Sequence, residues 1–192
     1  ADIITYLYFN EMNIDHTNVD SIHRDRFVLS KGHASPLLYA VLAEKGLLNK
    51  DDLKTFRRIN SKLQGHPNMN YVAGVDMSTG SLGQGISAAV GMALANKLDN
   101  KSDRVYALLG DGECQEGQVW EAAMSAAHYK LNNLCAIVDF NKLQIDGDIT
   151  EVLNPTPIDK KFEAFNWNVI NINGHDFDEI ASAFKQAREC ED

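Results

Sequence analysis

Two apolar runs, Arg104-Val105-Tyr106-Ala107-Leu108-Leu109 and Leu134-Cys135-Ala136-Ile137-Val138, each break off into a polar cluster, with the helix-like segment Gln115 to Tyr129 between them. A strand, a helix and a strand of these lengths make a parallel β-α-β unit, because parallel neighbours need a long crossover between them. Parallel strands are covered on both faces. The expected fold class is therefore α/β: a doubly wound, mainly parallel sheet flanked by helices. In such sheets ligands bind beyond the carboxyl ends of the strands. Gly110-Asp111-Gly112 and Asp139-Phe140-Asn141 fall at that edge.

The remaining pattern fits the same layer. Arg26-Phe27-Val28-Leu29 reads as a short strand running into Ser30-Lys31-Gly32-His33-Ala34, and Trp167 to Ile172 reads as a further strand. Helices are expected over Ile3 to Met12, Ser35 to Lys45, Ser81 to Leu98 and Ile158 to Phe165. A last helix, capped by Asp176, should reach about Glu189. Residues 139–157 read as a polar loop. No repeat or linker divides the 192 residues, so a single domain over 1–192 is expected. The chain opens inside a helix with no N-cap, which suggests truncation.

The net charge of −9 argues against a surface built for nucleic acid. No apolar run approaches the roughly 18 residues of a membrane span, and no signal peptide opens the chain. Cys114, Cys135 and Cys190 have no metal-binding spacing, and an odd count without a secretory signal suits a reducing cytosol. Cys135 reads as a small core residue, and nothing beside Cys114 suggests an activated thiolate. In so acidic a chain, a bound phosphate needs a metal ion or helix N-termini to offset its charge.

A magnesium ion takes octahedral oxygen ligands, with one or two typically from protein and others from phosphates and water. Asp111 offers a carboxylate oxygen, Asn141 an amide oxygen and Leu143 a backbone carbonyl. Gly110 and Gly112 let the chain turn and bring N–H groups toward a phosphate. Alone, Gly-Asp-Gly is a surface turn; paired with Asn141 at the next strand end, it reads as a metal–diphosphate site.

Three more loops carry glycine and histidine: Ser30-Lys31-Gly32-His33-Ala34-Ser35, Gly65-His66-Pro67, and Ser78-Thr79-Gly80-Ser81-Leu82-Gly83-Gln84-Gly85. Singly, a loop histidine is more often solvated than catalytic, and His16, His23, His128 and His175 stay in that class. The motifs Ser-Lys-Gly-His-Ala, Gly-His-Pro, Ser-Thr-Gly-Ser-Leu-Gly-Gln-Gly, Gly-Asp-Gly-x-x-Gln-Glu-Gly and Asp-x-Asn-x-x-x-Ile-Asp-Gly occur here in the order seen in transketolases. The chain resembles the N-terminal, diphosphate-binding half of that family over nearly its whole length. Met77 to Ser81 and Phe140 to Gln144 are more like the split, two-subunit form.

The resemblance implies thiamine diphosphate and Mg2+ (or Ca2+ or Mn2+) as cofactors. It assigns Asp111, Asn141 and the Leu143 carbonyl to the metal, Gly112 and His33 to the diphosphate, Gly80 and Leu82 to the aminopyrimidine, and Ile145 to the thiazolium face. His66 would face the sugar, so His66 and His33 are the candidate catalytic histidines. Glu116 and Glu121 read from sequence alone as helix-start acids favoured by the macrodipole. The resemblance places them at a subunit interface, linking two active sites through shared protons.

It also implies a cytoplasmic enzyme of the pentose phosphate pathway that moves a two-carbon ketol unit between sugar phosphates. The partner would be a pyrimidine-binding C-terminal subunit, in an α2β2 assembly. The family's aminopyrimidine glutamate, its aromatic pocket and its sugar-phosphate arginines belong to that partner. Two further family segments, Ser-Gly-His-Pro-Gly-Gly and Lys-Gly-x-Gly, are expected before residue 1 and after residue 192. The chain alone is therefore expected to bind cofactor weakly and not to turn over. Other readings are a dehydrogenase E1 α-subunit, a deoxyxylulose-phosphate synthase, a transketolase-like subunit for unusual sugars, or a non-catalytic interaction module.

Overall fold

The computed structural model describes residues 1–145 and 147–190. Three strands form a parallel sheet in the order β1 (Arg26–Leu29), β2 (Val105–Gly110), β3 (Leu134–Asp139). Val105 pairs with Arg26 on one side and with Leu134 on the other, and Gly110 pairs with Asp139. Every residue of β2 is buried, as a central parallel strand requires.

Alternation along the strands sends side chains into two separate cores. Phe27, Leu29, Tyr106 and Leu108 enter one, against α1 (Asp2–Tyr6), α2 (Ser35–Glu44) and α7 (Phe177–Glu189). Val28, Val105, Ala107 and Leu109 enter the other, against α3 (Gln84–Leu98), α4 (Gly117–His128) and α6 (Ile158–Ala164). Helices thus cover both faces. Against the second face, α3 and α4 present mainly alanines such as Ala89, Ala93, Ala122 and Ala126, which let the helices lie close to the strands.

Several elements differ from the sequence-based expectation. The helix expected over Ile3 to Met12 is α1 followed by a π-helical turn, Leu7–Glu11, in which Leu7 and Tyr8 are buried. Helix α3 begins at Gln84 rather than Ser81, because its N-cap Gly83 takes a left-handed φ of +83°. A 3-10 turn, Gly112–Gln115, precedes α4. The expected loop 139–157 contains a short hairpin, β4 (Leu143–Gln144) with β5 (Gly147–Asp148), and helix α5 (Ile149–Leu153).

The largest difference is at 167–172. These residues form no strand among the described residues. Trp167 and Val169 pack toward one core and Ile172 toward the other, so the alternation read from sequence is real. What is missing is the ladder. A cleft of about 980 Å³ separates the segment from the outer edge of β3, and an extended chain without a hydrogen-bonded neighbour is not a strand. Asp176 does cap α7, accepting the N–H groups of Asp178 and Glu179.

Candidate active site

The carboxyl ends of all three strands lie on one edge, and the loops leaving them meet there. Leaving β2, Asp111 is 1% exposed. Its Oδ1 accepts the N–H of Gly112 at 2.8 Å, and its Oδ2 accepts the N–H of Lys142 at 2.6 Å. The second bond ties the Gly-Asp-Gly loop to the segment leaving β3. Asn141, just before Lys142, accepts the Leu143 N–H on its Oδ1 at 2.9 Å. A carboxylate has about four lone-pair sites, so two remain on Asp111 for another ligand. Carboxylate, amide and carbonyl oxygens from Asp111, Asn141 and Leu143 therefore stand on two segments clipped together by one hydrogen bond.

That donor set fits a hard divalent cation and not a soft one. No cluster of three or more His, Cys, Asp or Glu side chains suited to a metal occurs among the described residues. A magnesium site completed by phosphate and water does not need one. Gln144 lies beside Gly112. It exchanges amide hydrogen bonds with Gln115 at 2.6 and 3.1 Å, and a Cβ on Gly112 would touch it at 3.4 Å.

The glycine- and histidine-bearing loops close against one another through backbone contact. A Cβ on Gly32 would sit 2.8 Å from the Gly80 nitrogen, closer than any side chain allows. A Cβ on Gly80, whose φ is +147°, would sit 3.0 Å from the His66 ring. His33, Gly80 and His66 are thereby gathered at one place, and Thr79 fastens the loop to β1 by donating its hydroxyl to the Leu29 carbonyl at 2.7 Å. Partial burial, with Lys31 and His66 nearby, holds His33 below the usual histidine range, partly offset by Glu113. It is therefore neutral near pH 7.

Leu82 is half-buried, whereas Leu143 and Ile145 are 67% and 99% exposed. Glu116 and Glu121 are exposed as well. Glu116 is the N-cap residue of α4, and its Cβ lies where a Cβ on Gly83 would come within 2.7 Å. Glu121 lies further along the helix. His175 bonds Asp2 at 2.7 Å. Cys114 is 1% exposed, and burial, then Glu113 and Asp111, push its thiol up to about 12; no thiolate forms at neutral pH.

Sequence reading passed over Lys31 and Glu113 at this edge, and Asp76 at the amino end of β1. Lys31 is buried and pairs with Asp139 at 2.9 Å, joining the ends of β1 and β3. Asp76 is buried and receives Arg24 at 2.6 and 3.1 Å, Arg26 at 3.0 Å and the Phe27 N–H at 2.8 Å. It anchors the start of the 76–83 loop to β1. Glu113 is buried beneath the Gly-Asp-Gly turn. Each is a charged residue in a polar stretch, and only its burial distinguishes it.

The whole chain, residues 1–192, matches the family described as "Transketolase, thiamine diphosphate binding domain". It is 49% identical over 192 residues to the 6-deoxy-6-sulfo-D-fructose transketolase subunit SqwG of Clostridium sp. (strain MSTE9), covering all of this chain and 70% of that protein. The chain belongs to the transketolase family. Human transketolase is 48% identical over 98% of the chain, which spans 30% of that protein. A subunit of the apulose-4-phosphate transketolase of Phocaeicola vulgatus is 41% identical, with 96% of this chain and 65% of that protein covered. Among solved structures, Campylobacter jejuni transketolase superposes with a TM-score of 0.90 at 38% identity, over 98% of this chain and 30% of that one. The match is thus to the N-terminal, cofactor-binding part of transketolases, and two of these relatives are named as subunits.

Proposed function

We propose that this chain is the thiamine diphosphate-binding subunit of a split, cytoplasmic transketolase. Asp111, Asn141 and the Leu143 carbonyl would hold Mg2+ against the diphosphate. The observation that supports this reading is the Asp111–Lys142 hydrogen bond at 2.6 Å, which joins the two segments that carry the three oxygen donors. Gly112 would turn its N–H from Asp111 Oδ1 to the diphosphate, and His33, kept neutral, can donate to it without adding a charge. Gly80 and Leu82 would lie along the aminopyrimidine, and Ile145 against the thiazolium.

Bound there, thiamine diphosphate supplies a nucleophilic carbon and an electron sink for cleaving a ketose C–C bond. The chain's own residues then position and protect. His66, held against Gly80, faces the sugar and can hold or pass a proton at its hydroxyls. Leu143, Ile145, Phe140 and Leu153, between 48% and 99% exposed, form an apolar rim around Asn141. Such a rim suits a second subunit that would cover it and exclude water. We assign that role to a pyrimidine-binding partner in an α2β2 assembly, with Glu116 and Glu121 turned toward the subunit boundary.

A coupled assay of the full-length protein with its partner, using xylulose 5-phosphate and ribose 5-phosphate, tests the reaction. Turnover that requires both subunits, thiamine diphosphate and Mg2+ is expected. Cofactor binding without turnover of any ketose would instead support an interaction module. In the same assay Glu121→Ala and Glu116→Ala should slow turnover by roughly tenfold or more, as expected for lost proton-transfer groups. Unchanged assembly and rate in both variants would remove these glutamates from the site.

A further inference from the structure

Loops from three elements end on one carboxylate. Glu113 is 2% exposed. Its Oε1 accepts the hydroxyl of Ser30, just past β1, and the N–H of Gly83, the N-cap of α3, the latter at 2.9 Å. Its Oε2 accepts the N–H of Gly110, the last residue of β2, at 3.1 Å. No ion pair among the described residues involves it. A buried carboxylate without a counter-charge persists only where hydrogen bonds hold it firmly.

The three donors belong to the segments that carry His33, Gly80 with Leu82, and Asp111. Their convergence is close-packed as well as hydrogen-bonded. A Cβ on Gly85 would meet the Ser30 Cα at 2.7 Å, so α3 can start this close to β1 only with glycine there. Two of the three donors are backbone N–H groups in a buried setting. Without an acceptor each would be stranded, and the loops would have to shift to regain water.

We infer that Glu113 is a positioning residue that sets the Ser30–His33, Gly80–Gly83 and Gly110–Gly112 segments in their cofactor-receiving arrangement before cofactor arrives. The inference rests on the functional reading of this edge. It assigns Glu113 no contact with cofactor or substrate, only with the loops that make those contacts.

The test uses Glu113→Gln and Ser30→Ala in the full-length protein assembled with its partner. Glutamine keeps the size but replaces one of the two acceptor oxygens with an NH2 donor, so either Gly110 or the Ser30–Gly83 pair faces a donor. Serine-to-alanine removes one donor and leaves the carboxylate in place. Thiamine diphosphate is titrated calorimetrically in Mg2+, well below each variant's unfolding temperature and per folded molecule. Amide exchange of Gly83 and Gly110 is followed without cofactor. Glu113→Gln is expected to weaken binding at least about tenfold and to speed exchange at one of the two glycines, and Ser30→Ala to weaken binding roughly threefold to tenfold.

A purely structural carboxylate would lower the unfolding temperature and leave the affinity of folded molecules unchanged. That result in both variants overturns the inference. If Glu113→Gln fails to fold, Ser30→Ala decides alone by the same criterion. A wild-type protein that binds no thiamine diphosphate overturns the functional reading, and this inference with it. The wild-type titration separates that failure from a failure of Glu113 alone.

Discussion

An Asp111→Ala variant is expected to lose magnesium-dependent thiamine diphosphate binding by on the order of 100-fold or more, about 2.8 kcal/mol. Two effects add. The variant removes the one carboxylate of the proposed metal set, so the cation would be left with an amide and a carbonyl oxygen. It also removes the acceptor of the Lys142 N–H at 2.6 Å, the bond that holds the Asn141–Leu143 segment against the Gly-Asp-Gly turn. Asp111→Asn separates the two, because it can still accept that N–H while lacking the charge. If charge dominates, Asn should be nearly as defective as Ala while unfolding close to the wild-type temperature. Calorimetric titration of each variant measures this. Tight, magnesium-dependent binding retained in Asp111→Ala would exclude Asp111 from the metal site.

The second large effect concerns stability rather than chemistry. Asp76→Ala is expected to cost about 3–5 kcal/mol and to lower the thermal midpoint by roughly 10 °C. Arg24 is 4% exposed in its side chain, and its guanidinium would be left buried without the carboxylate that it meets at 2.6 Å. Arg26 and the Phe27 N–H would lose the same acceptor. Asp76→Asn keeps part of the hydrogen bonding and should fall between wild type and Ala. An apolar pair replacing both Arg24 and Asp76 should recover much of the loss, because breaking a buried pair costs more than never forming it. Thermal unfolding distinguishes these cases. An Asp76→Ala midpoint within a degree or two of wild type would mean that the ion pair does not anchor the 76–83 loop.

How much was legible in the sequence follows from which signals are local. The apolar runs at 105–109 and 134–138, each stopped by a polar cluster, mark β2 and β3 and the edge where Asp111 and Asn141 lie. Gly32 and Gly80 lie in two of the glycine- and histidine-bearing loops, but only the fold shows that they approach each other and that Gly80 lies against His66.

Residues 167–172 carry the alternation of a strand, but a ladder depends on what lies alongside, which periodicity does not encode. Helix α3 starts three residues later than its pattern suggests, because the left-handed Gly83 caps it. Glu113 and Asp76 escaped notice for a related reason. A carboxylate in a polar loop normally reads as solvated, and burial comes from segments 30 to 83 residues away that no short motif contains.

The most direct test of the site is a calorimetric titration of the full-length protein, assembled with its partner, with thiamine diphosphate in Mg2+ and again after chelation. Saturable binding that disappears on chelation and returns with added Mg2+ is the expected result. Equal affinity without a divalent ion would contradict a diphosphate held through metal by Asp111, Asn141 and Leu143.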